Sequence, residues 1–176
     1  PCRDAIASFY RLNLDLSLER LPLPAIAISN SICFSVDGTA MYFCDSMKKA
    51  IYRWDDYLGG DASRVRVFAV LDPGPGAADG ATIDAHDHLW SAQWGAGRVL
   101  RFAPDGGVER AITLPVSQPS CVSLGGPHYD ELFVTTAQES LTPAQLAGEP
   151  LAGGLFHARQ VDVRGLPEVR FGALPA

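Results

Sequence analysis

The sequence predicts an all-β fold made of a repeated unit of short antiparallel strands, and two observations support this. Alternating runs of β-branched and aromatic residues, separated by Gly, Pro, Asp and Asn, dominate the 176 residues. Three similar runs begin at residues 41, 89 and 132, which lie 48 and 43 residues apart. Four short strands per unit with a period of about 40 to 50 residues are typical of a β-propeller.

The elements of this unit follow one another in a constant order along the chain. Phe9–Leu12 is similar to the third strand of an earlier copy of the unit. Each unit has a turn followed by two strands. The turns are "VDGTA", "AHDHL" and "GPHYDE". The strands after the turns are Met41–Asp45, Leu89–Gln93 and Leu132–Thr136, and the strands that follow these are Ile51–Trp54, Val99–Phe102 and Gly154–His157.

One helix is predicted between two of the repeats. The stretch "SLTPAQLAGEP" covers residues 140–150 and offers Thr142 as an N-cap with Pro143 in the first turn. Elsewhere helical signals are weak. A solenoid fits the long alternating units less well than propeller blades do, and a β-sandwich leaves the repeat unexplained.

At about 45 residues per blade, the chain has room for about four blades. A small propeller needs a closed ring to protect its sheet edges. We therefore expect residues 1–176 to be a single, partial propeller domain that lacks N-terminal blades, an expectation to which the first residue, Pro1, also points. Self-association or a partner chain would close an incomplete ring.

Composition excludes some classes of function. The net charge is −6 and the 14 basic residues are scattered, so no surface for nucleic acid is predicted. No apolar stretch approaches the roughly 18 residues that span a bilayer, so no membrane segment is predicted.

The spacing of the four cysteines matches neither a zinc site nor a redox motif. They are Cys2, Cys33, Cys44 and Cys121. Cys33 and Cys44 lie in apolar runs, where a thiol packs as a small hydrophobic group. We expect buried free thiols in a reducing, cytoplasmic compartment, with a disulfide as the alternative.

The repeat brings candidate functional residues to equivalent positions. Asn30 begins one first strand, Asp79 begins the next 49 residues later, and Ser120 or Cys121 occupies the third position. First strands line the central channel of a propeller, so these side chains should converge on its axis. Asn and Asp oxygens suit hard or borderline divalent metals. Alternatively, both residues hydrogen-bond their own backbone in turns.

Three other features have structural interpretations. His86–His88 is predicted to be a solvated turn between strands, and Trp90 is predicted to pack inside a blade. Trp94 could either pack or stack on a sugar ring. The stretch 72–80, "DPGPGAADG", lacks the Lys-Ser/Thr ending of a phosphate loop and is predicted to be a mobile connection to Asp79.

Several consecutive motifs resemble the senescence marker protein/gluconolactonase/regucalcin family of six-bladed propellers. "ISNSICFSVDGTAMYFCDS" resembles the family's "SNGLAWSPDG…LYYxDS", and "ADGATIDAHDHLWSAQWGAGRVLRFAPDG" resembles "PDGLxxDAEGNLWVAxWGGGRVxRxDPDG". "SFYRLNLDLSLERL", "LPVSQPSCVSLGGPHYDELFVTTA" and "AGGLFHARQVDVRGLPEVRFG" resemble the flanking and last blades. The resemblance spans almost the whole chain and implies the C-terminal part of a six-bladed ring.

This resemblance implies one divalent metal ion, calcium, zinc, manganese or iron, on the propeller axis. Asn30 and Asp79 match two of the family's three protein ligands, and the third, a Glu, would lie upstream of Pro1. Ser31 replaces the usual Gly after the Asn, and Ala78 replaces the usual Pro before the Asp. Neither replacement changes a donor atom.

The family implies hydrolysis of a sugar lactone, such as a glucono-, arabinono- or galactonolactone, to the aldonic acid. Asp79 is then the candidate general base as well as a ligand. The sequence around Asn30 resembles that of bacterial sugar-catabolism members more than that of animal regucalcins. The alternatives are a calcium-binding propeller without catalysis, an inactive fragment, and a paraoxonase-like calcium esterase.

Overall fold

The computed structural model describes residues 4–159 and 161–172. Within these ranges the chain forms thirteen β-strands, one short α-helix and three 3₁₀ turns. The strands are β1 (Tyr10–Leu12), β2 (Leu18–Arg20), β3 (Ser29–Phe34), β4 (Ala40–Asp45), β5 (Ala50–Asp55), β6 (Val65–Val70), β7 (Ala77–Ile83), β8 (Leu89–Trp94), β9 (Arg98–Phe102), β10 (Val108–Thr113), β11 (Pro119–Gly125), β12 (Glu131–Thr136) and β13 (Leu155–Ala158). The helix, α1, spans Pro143–Gly148, and the 3₁₀ turns span Ser46–Lys48, Tyr57–Gly59 and Ala62–Arg64.

The strands form antiparallel sheets whose order follows the chain. Strands β3 to β6 form one four-stranded sheet and β7 to β10 another, while β1–β2 and β11–β13 form sheets of two and three strands. The predicted all-β class is confirmed. Within the described residues there are four sheets, two of which contain the complete unit of four strands. The expectation of about four blades from a six-bladed ring stays a prediction.

The hydrophobic core lies between consecutive sheets. Met41 and Phe43 on one face of β4 pack toward the first sheet, and Tyr42 and Cys44 on the other face pack toward the β7–β10 sheet. A further cluster around Trp90 joins that sheet to the β11–β13 sheet. Because both faces of β4 are covered, all six of its residues are buried. This explains the continuous apolar run in its sequence.

The first strands of the three larger sheets, β3, β7 and β11, lie side by side and are called the inner strands below. β7 contacts both β3 and β11. Gly80 permits the second contact, because a Cβ atom there would lie 2.4 Å from the Sγ atom of Cys121. This close neighbourhood of first strands is what the propeller prediction requires.

The predicted helix is confirmed at its N-terminus. The Thr142 side chain accepts from the backbone N–H of Gln145, the Gln145 side chain accepts in return, and Pro143 occupies the first turn. This capping box satisfies backbone groups that a helix end leaves open. No helix in the described ranges is long and apolar enough to cross a membrane.

Candidate metal and catalytic site

Each inner strand has a β-bulge at or directly after the position to which the repeat pointed. The register of β3 against β4 shifts between Asn30 and Cys33, and that of β7 against β8 shifts between Ala78 and Ala81. The bulge of β7 therefore contains Asp79. Bulges re-aim side chains and break the regular ladder, and they are common next to active sites.

Asn30 is held by a hydroxyl group at the end of the neighbouring strand. Its Nδ2 atom donates to Ser46 Oγ at 3.2 Å, and that hydroxyl in turn donates to the carbonyl oxygen of Ala78 at 2.7 Å. Because this bond uses the amide nitrogen, the Oδ1 oxygen is the part of the amide that remains to bind a ligand. An amide oxygen is a ligand that hard divalent cations accept.

The bulges of β3 and β7 are joined directly. Ser31 is buried, and its hydroxyl donates to the carbonyl oxygen of Asp79 at 2.5 Å. Its backbone has a φ of +58°, in the left-handed region that a non-glycine residue rarely adopts. The Gly at this point in the resembling motif is suited to that conformation, and Ser31 adopts it with a side chain that reaches the next sheet.

The Asp79 side chain is half-buried, and its surroundings disfavour the charged form. Burial raises the pKa of this carboxyl to about 6, and the backbone N–H of Gly80 opposes part of the shift. A carboxyl group with this pKa is ionised at neutral pH and exchanges a proton easily. It can therefore act either as a metal ligand or as a general base.

At the third equivalent position, Ser120 is the bulged residue and Cys121 follows it. The register of β11 against β12 shifts between Pro119 and Cys121, and the Ser120 hydroxyl lies 2.8 Å from that of Thr135. Of the two candidates that the sequence offered, Ser120 is thus equivalent to Asn30 and Asp79. Its oxygen is already paired within its own sheet.

The donor set fits a divalent ion in part. Asn30 directly precedes the bulge of β3, and Asp79 lies in the bulge of the neighbouring strand β7. They offer an amide and a carboxylate oxygen, which suit the cations named above. Among residues 4–159 and 161–172, no group of three or more His, Cys, Asp or Glu side chains is placed to hold a metal ion. Within these ranges, any third ligand would therefore be another type of donor, such as a hydroxyl or carbonyl oxygen.

The cysteine prediction is only partly right. Cys33, Cys44 and Cys121 are free thiols, and Cys2 lies outside the described residues. Cys44 is buried as expected and Cys33 is half-buried, but Cys121 is exposed. The alternation of β11 explains this, since Val122 and its alternate neighbours face the core and Cys121 faces away.

The predictions for Trp90 and for the turn at His86–His88 are confirmed with small changes. Trp90 is fully buried, and Trp94 is half-buried at the end of β8. His86–His88 forms a turn, although His88 is half-buried beside Glu109, with Nε2 and Oε2 3.1 Å apart. The connection to Asp79 is shorter than predicted, because β7 begins at Ala77.

Sequence reasoning missed three residues near these strands. Ser31 and Ser46 bond to carbonyls 48 and 32 residues further along the chain, and no local pattern predicts such contacts. Asp84, at the end of β7, binds Arg101 and Trp90 in the interior. Asp84 had two signals, an Asp at a strand end before a turn, which is common in proteins, and the Asp at the same point of the resembling motif.

The chain is similar in sequence to known proteins over most of its length. Residues 2–138 match the family described as SMP-30/Gluconolactonase/LRE-like region. The chain is 46% identical over 171 residues to L-arabinolactonase of Azospirillum brasilense. This alignment covers 97% of this chain and 56% of the relative. It is 36% identical over 149 residues to 6-deoxy-6-sulfogluconolactonase of Pseudomonas putida. That alignment covers 83% of this chain and 50% of the relative.

A solved structure shares the fold closely. Regucalcin of Agrobacterium tumefaciens, described as a calcium-binding protein, superposes with a TM-score of 0.82 at 33% identity. The match covers 90% of this chain and 54% of that protein. The chain thus spans about half the length of the curated relatives it matches.

Proposed function

The chain belongs to the SMP-30/Gluconolactonase/LRE-like family, and we propose that it forms part of a sugar lactonase whose site includes Asn30 and Asp79. One observation carries the proposal: the bulges of β3 and β7 place these two residues on adjoining strands, linked by the bond from Ser31 to Asp79. The similarity to two named sugar lactonases supports the same reaction class.

We propose that Asn30 Oδ1 and the Asp79 carboxylate hold one divalent ion. When bound, such an ion would polarise the lactone carbonyl and acidify a water molecule. Asn30 is neutral and adds no charge, so Asp79 supplies the negative charge that the cation requires. The described residues do not favour calcium, manganese, zinc or iron over one another.

Asp79 also carries the proton transfer in this proposal. Its carboxylate accepts a proton from the attacking water, whose oxygen bonds to the lactone carbonyl carbon. The ring C–O bond then breaks, and the proton passes to the departing ring oxygen. The products balance as one aldonic acid, with its new hydroxyl group, from one lactone and one water.

The experiment is hydrolysis of a small panel of lactones by the protein, stripped of metal and then reloaded. Arabinono-1,4-lactone, galactono-1,4-lactone and glucono-1,5-lactone are each assayed by acid release with Ca²⁺, Mn²⁺, Zn²⁺ or no added metal. We expect metal-dependent turnover that Asp79→Asn lowers by at least about 10²-fold. The control is Asp105→Asn, because Asp105 lies in a turn where its side chain accepts a bond from Gly107.

A second candidate function is metal binding without hydrolysis. The superposition on a protein described as calcium-binding favours it. Asp79-dependent binding of Ca²⁺ with no turnover of any lactone would support this candidate and contradict the first. Turnover that neither Asp79→Asn nor metal removal affects would contradict both.

A further inference from the structure

Two serine hydroxyls cross from the β3–β6 sheet to the bulge of β7. Ser31 Oγ donates to the carbonyl of Asp79, and Ser46 Oγ donates to the carbonyl of Ala78. These are consecutive carbonyls where the register of β7 against β8 shifts. A bulge disrupts the ladder locally, so side chains can satisfy backbone groups there.

The Ser46 hydroxyl acts on both candidate ligands at once. It accepts a bond from Asn30 Nδ2 while it donates to Ala78, the residue before Asp79. Accepting from the amide nitrogen fixes which end of the amide is Oδ1, because a flipped amide would place two acceptors face to face. Ser46 therefore sets the orientation of Asn30 relative to the strand that bears Asp79.

The Ser31 hydroxyl acts on the peptide group that follows Asp79. It binds the carbonyl oxygen of this group, whose N–H belongs to Gly80. A peptide group is planar, so holding its oxygen also fixes the direction of its N–H. Ser31 thereby constrains the carboxylate through the backbone.

The backbone of Ser31 is strained, as it is at seven other non-glycine positions of the described residues. At φ +58° a glycine would be relaxed, whereas a serine costs free energy there. Strain of this kind persists where the surroundings hold it, and it clusters at functional sites. The compensation visible here is the bond from the Ser31 hydroxyl to Asp79.

We propose that Ser31 and Ser46 are positioning residues that fix Asn30 and Asp79 relative to each other for metal binding. The pair is called the hydroxyl clamp below. This inference rests on the proposed function, since it assumes that Asn30 and Asp79 bind one ion. Neither serine is a ligand in it. Both serines act by orienting the two ligand side chains, Asn30 and Asp79.

The test is Mn²⁺ binding to the protein, measured by calorimetry and by the electron paramagnetic resonance signal of free Mn²⁺. We expect Ser31→Gly to weaken binding about 10- to 100-fold, which is typical when a partner of a metal ligand is removed. Its melting temperature without metal should change little, because relief of the left-handed strain offsets the lost hydrogen bond. A purely structural role would instead lower stability and affinity together.

Ser140→Gly is the matched control for the backbone effect. Ser140 is exposed, has a φ of +62° and lies in the turn before α1. The same substitution there relieves the same strain away from the site. We expect unchanged Mn²⁺ affinity.

A second pair of variants tests the hydroxyl of Ser46. Ser46→Ala should weaken Mn²⁺ binding to a similar extent, and Ser46→Thr, which keeps the hydroxyl, should restore it. Wild-type affinity in both Ser31→Gly and Ser46→Ala would overturn the hydroxyl clamp. Failure of Ser46→Thr to bind better than Ser46→Ala would overturn the role of Ser46.

The two proposals can fail separately. If Asp79→Asn abolishes Mn²⁺ binding and Ser31→Gly binds normally, the metal site stands and the hydroxyl clamp is wrong. If the wild type and Asp79→Asn bind Mn²⁺ equally, or neither binds it, the proposed metal site is wrong. The hydroxyl clamp is then wrong as well.

Discussion

Two aspartates near opposite ends of β7, Asp79 and Asp84, have opposite surroundings. Asp79 lies in the bulge near the start of the strand, half-buried, and burial raises its pKa to about 6. Asp84 follows the last residue of the strand and is fully buried. Burial by itself also raises the pKa of Asp84, but its hydrogen bonds outweigh that effect and hold the pKa below its usual range.

The difference lies in the number of donors that each carboxylate meets. Asp84 accepts from the backbone N–H groups of His86 and His88 at 2.9 and 3.2 Å, and from Trp90 Nε1 at 2.9 Å. Arg101 adds Nε at 2.8 Å and Nη2 at 2.7 Å. A carboxylate with so many partners is held as a permanent anion.

The comparison shows how one residue type takes two roles in neighbouring places. Asp84 has its negative charge matched by donors of the protein, so it stabilises the sheet and its turn. The charge of Asp79 is poorly matched, so it remains available to a cation or a proton. Four predictions test this contrast, and they run from the largest expected effect to the smallest.

The largest expected effect is on activity. Asp79→Asn should lower the rate of lactone hydrolysis by about 10²- to 10⁴-fold, the usual contribution of a positioned general base. The variant should stay folded, because the lost carboxylate has few partners. Initial rates and circular dichroism on the same sample check both statements, and full activity in a folded variant would contradict the role of Asp79.

The second prediction concerns stability. Asp84→Ala should lower the free energy of unfolding by about 3–5 kcal/mol, because it leaves the buried Arg101 guanidinium without its main partner. Asp79→Ala should change it by less than about 1 kcal/mol. Urea unfolding of both variants gives the comparison, and equal losses would show that the two carboxylates are not distinct.

The third prediction concerns the close approach of β7 and β11 beside Asp79. Gly80→Ala should cost about 1–3 kcal/mol of stability, because its Cβ would lie 2.7 Å from the Cα of Cys121. Gly74→Ala is the matched control, since nothing lies within 4 Å of a Cβ there. Thermal melting of the two variants should separate them clearly, and similar curves would refute the close packing.

The smallest expected effect is a pH dependence. Because the folded pKa of Asp84 lies below its unfolded value, its stabilisation is complete above about pH 4 and is lost as pH falls through the folded pKa. The difference in stability between the wild type and Asp84→Asn should therefore shrink below pH 4. A difference that grows on acidification would show that Asp84 is not held as an anion.

Much of the fold could be predicted from the sequence because the signals are local. The alternation around Met41 and Leu89 marks strands that are buried on both faces, and Thr142 with Pro143 marks the start of α1. Boundaries shifted by one residue where the pattern fades, as at β13, which begins at Leu155 rather than Gly154.

The surroundings of the candidate site could not be predicted in this way. The repeat identified Asn30 and Asp79, but the hydroxyl clamp joins residues 48 and 32 positions apart. The strain at Ser31 also has no sequence signal beyond a departure from the usual Gly. Such features depend on how two sheets meet, which only the tertiary structure shows.

The central claim is that Asn30 and Asp79 share one metal ion, and a double-mutant cycle tests it most directly. Mn²⁺ dissociation constants are measured for the wild type, Asn30→Ala, Asp79→Asn and the double variant. If the residues share an ion, the double variant should bind little more weakly than the weaker single variant. Wild-type Mn²⁺ affinity in either single variant would contradict a shared site.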